Sequence, residues 1–289
     1  MMNKQGLDQQ IVEKLKLKCS KPKLNDWKRV TKLESEQKGE TKIAMVGKYT
    51  ELVDSYKSVN EALIHAGIHN KTNVKIEHID SERFNKGVKN LEADGILIPG
   101  GFGNRGVKGM LNVAKFAREN NIPYFGICLG MQVAVIEFAR NVLKLDADST
   151  EFKKNTQHPV IGLITEWLDE DGLIQYRSED SDKGGTMRLG SQVCHLKKNS
   201  KMAKLYKKLK IFERHRHRYE FNGNYESAFN KNGMTVVGKS EDETLVEAIE
   251  IKNHKWFIGC QFHPEFTSDP INAHPLFKGF IKAAKLNSK

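Results

Sequence analysis

The sequence predicts an α/β fold with an open, mostly parallel central sheet flanked by helices. From residue 41 onward, short apolar runs closed by glycine or proline alternate with longer segments whose apolar residues recur at helical spacing. Such alternation places crossover helices on both faces of a parallel sheet. A chain of 289 residues, 38% hydrophobic, can fill one large core of this kind.

Residues 5–20 space Leu7, Ile11, Leu15 and Cys19 four apart, which predicts a short amphipathic helix. From Pro22 to Glu40 the text is polar and charged with one Trp, which predicts a solvated linker. The run TKIAMVGKY, ended by Gly47, predicts the first buried strand. DSYKSVNEALIHAG predicts a helix capped by Asp54, with Val59, Leu63 and Ala66 on one face, stopping at Gly67. Strands are predicted over 74–79, 95–99 and 123–127, and helices over 109–119 and 129–139. After Asp146 the alternation breaks into loops, and strands resume over 162–166, 235–238, 244–251 and 256–262.

No apolar run approaches the roughly 18 residues of a membrane-spanning helix, and MMNKQGLDQQ lacks a secretory signal's apolar core, so a cytoplasmic protein is expected. Cys19, Cys128, Cys194 and Cys260 form no CxxC pair, which argues against a zinc knuckle or a disulfide framework. The charge of +11 raises nucleic acid as a partner, and a basic binding module is the non-enzymatic alternative. The excess gathers in the first forty residues and in 197–218, and is read chiefly as solvated surface.

Open parallel sheets bind ligands beyond the carboxyl ends of their strands. In PYFGICLGMQVAV a strand runs through Gly126-Ile127-Cys128-Leu129-Gly130 into a helix, the cysteine counterpart of a nucleophile elbow. Small residues at 126 and 130 relieve crowding at so sharp a turn, holding Cys128 up with its sulfur exposed. The helix start supplies free N–H groups and a positive dipole end, which favour the thiolate.

In WFIGCQFHPEFTS a strand delivers His263 and Glu265 two residues apart, a proton carrier near neutrality and a carboxylate to orient it. His215 and His217 in RHRHRYE are the rival bases. LIPGGFGNRG ends another strand in a glycine turn that lacks the phosphate-loop pattern; it is either a simple tight turn or one whose Gly101 N–H pairs with the Leu129 N–H as an oxyanion hole. Cys194 and Cys260 read as small packed residues.

A Gly-Gly turn, a G-x-C-x-G elbow and a late His-Pro-Glu, in that order, resemble the class I glutamine amidotransferases, whose sheet is flavodoxin-like. KYTELVDSYKSVNEAL, PGGFGNRGVKGM, GICLGMQVAVIEFAR, STEF, HPVIGLI, GGTMRLG, ERHRHRYEFN and CQFHPEFTSDP narrow this to the CTP synthase family, across about 41–285. The alternatives with the same elbow are another amidotransferase subunit and a γ-glutamyl hydrolase.

The resemblance implies that Cys128 attacks the amide of L-glutamine, that Gly101 and Leu129 hold the oxyanion, and that His263 and Glu265 complete the triad. It implies glutamine contacts from Gly101, Phe102, Leu129, Gly130, Met131, Gln132, Glu151 and Arg218. It implies residues 1–40 as the end of a synthetase domain with its linker, and 41–289 as the glutaminase. The remainder of the synthetase domain is expected to be missing from this chain and to be its partner. There ATP, UTP and Mg2+ would act, with GTP as activator. No metal or cofactor is expected for glutamine hydrolysis, and no nucleic acid or membrane partner.

Overall fold

The computed structural model describes residues 2–50, 53–163, 166–168, 174–176 and 187–288. Its first helix, α1 (Leu7–Lys14), is shorter than its spacing predicted and buries none of its residues. Lys16, in a left-handed conformation, follows its end. The expected linker contains α2 (Asn25–Ser35), whose one buried residue is Val30. Trp27, Val30 and Leu33 recur three apart within it, a helical spacing masked by the charged residues around them.

Strand β1 (Glu40–Gly47) sends Ala44 and Val46 to one face and Ile43 and Met45 to the other. Burial on both faces is why the run is continuously apolar. The next helix, α3 (Lys57–Asn70), against which α2 packs, corrects two expectations. Residues Val53–Tyr56 form a separate 3-10 turn, so Asp54 does not cap α3. Gly67 lies inside the helix, where a Cβ would stand 2.7 Å from Val74 Cγ2. It serves close packing, and the helix stops at left-handed Lys71 instead.

Next come β2 (Asn73–Asp80), β3 (Gly95–Ile98), α4 (Val107–Glu119), β4 (Tyr124–Ile127) and α5 (Leu129–Asn141), within a few residues of the reading. Beyond them lie β5 (Ala147–Ser149) and β6 (His158–Leu163). The strand expected at 162–166 thus starts earlier, and residues 164 and 165 lie outside the described ones. The hairpin β7 (Glu166–Leu168) and β8 (Ile174–Tyr176) is followed by β9 (Arg188–Leu196), α6 (Lys201–Tyr206), β10 (Lys210–His217), β11 (Tyr219–Phe221) and α7 (Glu226–Lys231). The chain closes with β12 (Met234–Lys239), β13 (Val246–Ile251), β14 (Phe257–Cys260) and α8 (Pro275–Asn287).

Among the described residues nine strands form the main sheet, in the order β10-β9-β12-β13-β14-β4-β3-β1-β2. Pairing is parallel from β14 to β2 and antiparallel from β14 to β10, so only β13 and β9 run against the rest. On one face Val113 and Ala117 of α4 and Val133 and Phe138 of α5 pack with Ala44 and Ile96. On the other, Leu63 of α3 and Phe277 and Phe280 of α8 pack with Ile43, Leu97 and Phe125. A small sheet β11-β6-β5 lies beside α5. Among the described residues no helix is long and apolar enough to cross a membrane.

Candidate active site

Strand β4 lies between β3 and β14 and parallel to both, so whatever follows these three strands meets at one edge of the sheet. The chain places there the glycine turn at 100–103, Cys128 and the segment 261–265.

The elbow is built by close approach. A Cβ on Gly126 would stand 2.6 Å from the Gly130 carbonyl carbon, and one on Gly130 only 2.1 Å from the Ile98 oxygen. Between them Cys128 has φ 51° and ψ −102°, a strained conformation for a residue with a side chain. Its N–H donates to the Cys260 carbonyl at 2.7 Å, tying the bend to β14. The expectation of an exposed sulfur is corrected: Cys128 is 3% exposed and belongs to the core cluster that holds Phe125, Ile127 and Phe262. It lines a cavity of about 340 Å³ with Tyr49, Gly100, Gly101, Phe102, Arg216, His263, Glu265 and Phe266.

His263 Nδ1 lies 2.7 Å from Glu265 Oε1. A 3-10 turn over Pro264–Thr267 brings the carboxylate back to the ring, and the His263 N–H donates to the Arg214 carbonyl. Phe266 stacks on the imidazole. Nε2 makes no conventional hydrogen bond among the described residues, and Cys128 is its ionic neighbour. Burial alone would lower the His263 pKa. The negative charge of Cys128, and then Glu265, outweigh burial and push it up to about 10. A Cβ on Gly100 would stand 2.8 Å from His263 Cε1 and 3.6 Å from Cys128 Cβ, so glycine keeps the space between the two side chains open.

The glycine turn is held from below by Lys48, a residue missed in the sequence although it directly follows the buried run 43–47 of β1. Its ammonium donates to the Phe102 carbonyl at 3.0 Å and to that of Gly103. Burial lowers its pKa to about 8, against the opposing charge of Glu151. Glu151 Oε1 accepts the Gly103 N–H at 2.8 Å. Gly101 sits against Leu129, whose Cδ2 would be 3.2 Å from a Cβ there. Leu129 opens α5, so its N–H has no acceptor within the helix.

The other expected glutamine contacts lie around this centre. Phe102 is on the cavity wall, and the Arg218 guanidinium lies 6.0 Å from its ring centroid. Glu151 reaches the turn but not the cavity wall. Gly130 and Met131 face the core, Met131 against Gly259. Gln132 is buried and bonded to Tyr219 and Gln261. Gln261, also missed, donates to Cys128 Sγ at 3.6 Å; nothing in a glutamine ending a strand flags it.

The rival histidines sit in a buried cluster. His215 Nδ1 is 2.9 Å from His217 Nε2 and 3.5 Å from Glu247 Oε2. The three could present ligand atoms to a metal, but Arg188 already pairs with Glu247 as the local cation. Burial, and then Arg188, hold His215 well below the usual histidine range. It is a neutral packed group.

The chain matches the family model for glutamine amidotransferase class-I over residues 51–283. The glutaminase domain of Trypanosoma brucei CTPS, solved with bound acivicin, is 39% identical, with a TM-score of 0.75 over 85% of this chain and 94% of that one. A putative GMP synthase subunit from Thermoplasma acidophilum is 16% identical, with a TM-score of 0.49 over 85% of this chain and 94% of that one. A glutamine amidotransferase from Thermotoga maritima is 12% identical, with a TM-score of 0.47 over 85% and 96%. On the family match and the trypanosomal likeness, the chain belongs to the class I glutamine amidotransferases, as a glutaminase domain of the CTP synthase kind.

Proposed function

We propose that the chain hydrolyses L-glutamine to glutamate and ammonia through a thioester on Cys128. The observation that carries this reading is the strained elbow that puts Cys128 on the same cavity wall as the His263–Glu265 couple. A bound glutamine analogue in the trypanosomal relative fits the same substrate.

With His263 carrying its proton at neutral pH, the sulfur attacks the side-chain amide carbon and the carbonyl oxygen takes up the negative charge. The Gly101 and Leu129 N–H groups are the donors assigned to that oxyanion. His263 gives its Nε2 proton to the departing nitrogen, the C–N bond breaks and ammonia leaves. Water then attacks the thioester while His263 takes its proton, and the C–S bond breaks to return the thiolate and free glutamate. Glu265 holds the ring and stabilises the imidazolium throughout.

We assign the amino acid end of glutamine to Arg218 and Glu151, with Phe102 and the main chain of 129–132. Guanidinium meets carboxylate bidentately and carboxylate meets ammonium, which suits both partners. The ammonia serves ATP- and Mg2+-dependent amination of UTP to CTP in a synthetase domain, in the cytoplasm, with GTP as activator.

The test is glutamate release from glutamine by the parent and by Cys128→Ala. Loss of release in the variant is expected; unchanged release would overturn the reading.

A further inference from the structure

Three residues with no charge connect the reactive sulfur to the main chain. Gln132 Nε2 donates to the Tyr219 carbonyl at 2.8 Å and to Gln261 Oε1 at 3.2 Å, and Gln261 Nε2 points on to Cys128 Sγ at 3.6 Å. Gln261 is wholly buried and Gln132 is 4% exposed.

The direction of this relay is fixed by its far end. A carboxamide presents an acceptor on one side and two donors on the other, and which is which follows from its partners. A main-chain carbonyl only accepts, so Gln132 must turn its NH2 toward Tyr219. That same NH2 then requires the oxygen of Gln261. Gln261 is left with its N–H groups facing the sulfur, and its own N–H is anchored to the Glu247 carbonyl at 2.8 Å.

We propose that Gln261 is a further catalytic residue of the glutaminase, an N–H donor that stabilises the anionic form of the Cys128 sulfur, and that Gln132 is the positioning residue that orients it. The inference rests on the assignment of Cys128 as nucleophile. A hydrogen bond to a charged acceptor is stronger than one to a neutral acceptor, and stronger still away from water. The donor therefore favours the thiolate before attack. It favours it again when the C–S bond of the second tetrahedral intermediate breaks and sulfur leaves with the electron pair. It offers little to the neutral thioester between those steps.

The experiment is the pH profile of Cys128 alkylation by iodoacetamide, located by mass spectrometry, in the parent, Gln261→Met and Gln132→Met. A small reagent needs no glutamine subsite. On the rising limb of the profile alkylation of Gln261→Met is expected to be about tenfold slower than in the parent, with the profiles converging at high pH, where the thiolate forms unaided. Gln132→Met should shift the same way by less, and it carries the test should Gln261→Met fail to fold. Profiles that superimpose at all pH, or that are displaced equally at all pH, overturn the proposal. Should Cys128→Ala still release glutamate, the nucleophile assignment fails first; release lost in that variant with superimposed profiles sinks the role of Gln261 alone.

Discussion

Gly130 passes the carbonyl of Ile98 so closely that a methyl group on it would lie 2.1 Å from the oxygen. The obstacle is backbone in β3, which is paired on both sides and cannot swing aside. Gly130→Ala is therefore expected to destabilise the domain by about 1–3 kcal/mol and to displace the elbow, with glutaminase activity lost beyond the stability effect. Urea midpoints read beside turnover check this; an alanine variant of parental stability would show that the elbow relaxes freely.

Glu265→Gln keeps the shape of the side chain and removes its charge. The kcat for glutamine is expected to fall between about a hundredfold and about ten-thousandfold with KM nearly unchanged, because the carboxylate acts on the imidazolium rather than on substrate. Steady-state kinetics decide it, and a change confined to KM would place Glu265 in substrate binding instead.

His263 owes its displacement to about 10 first to Cys128, working against burial. Negative charge stabilises the imidazolium, so removing it lowers the pKa. In Cys128→Ala the His263 titration, followed by NMR, should move down by more than about one unit. An unchanged midpoint would mean that Glu265 alone holds the proton.

Lys48 has the opposite sign. Its folded pKa of about 8 lies below the ordinary lysine value of 10.5, so between those limits the unfolded chain holds the proton that the folded chain has lost. Stability from this group therefore rises with pH across that window, and the penalty is fully present below it. Lys48→Met should abolish that rise in melting temperature. The same variant should weaken glutaminase activity, since the tie to the Phe102 and Gly103 carbonyls goes with the ammonium.

Arg188 and Glu247 are both almost wholly buried. Arg188→Met leaves a carboxylate stranded and should cost about 3–5 kcal/mol, whereas adding Glu247→Leu should recover most of it. Denaturation of the single and double variants measures the difference.

How much of this was legible depended on what each strand buries. β1, β3 and β4 are apolar on both faces and stand out as runs, and the elbow and His-Pro-Glu follow such strands directly. β10 alternates strictly, but its buried side carries Glu213, His215 and His217, so its pattern read as a charged stretch. β9 likewise buries Arg188. Gln261 and Lys48 escaped notice because their importance lies in a partner across the fold and not in any local pattern.

The relay behind the sulfur ends on a peptide oxygen, and that has a genetic corollary. No replacement of the side chain at 219 can delete the acceptor itself, which keeps its place as long as β11 stays zipped to β6, where Tyr219 sits opposite Leu163. The small outlying sheet is thereby drawn into the enzymology: a proline or an insertion that unzips it would be felt at a thiol in another layer of the molecule.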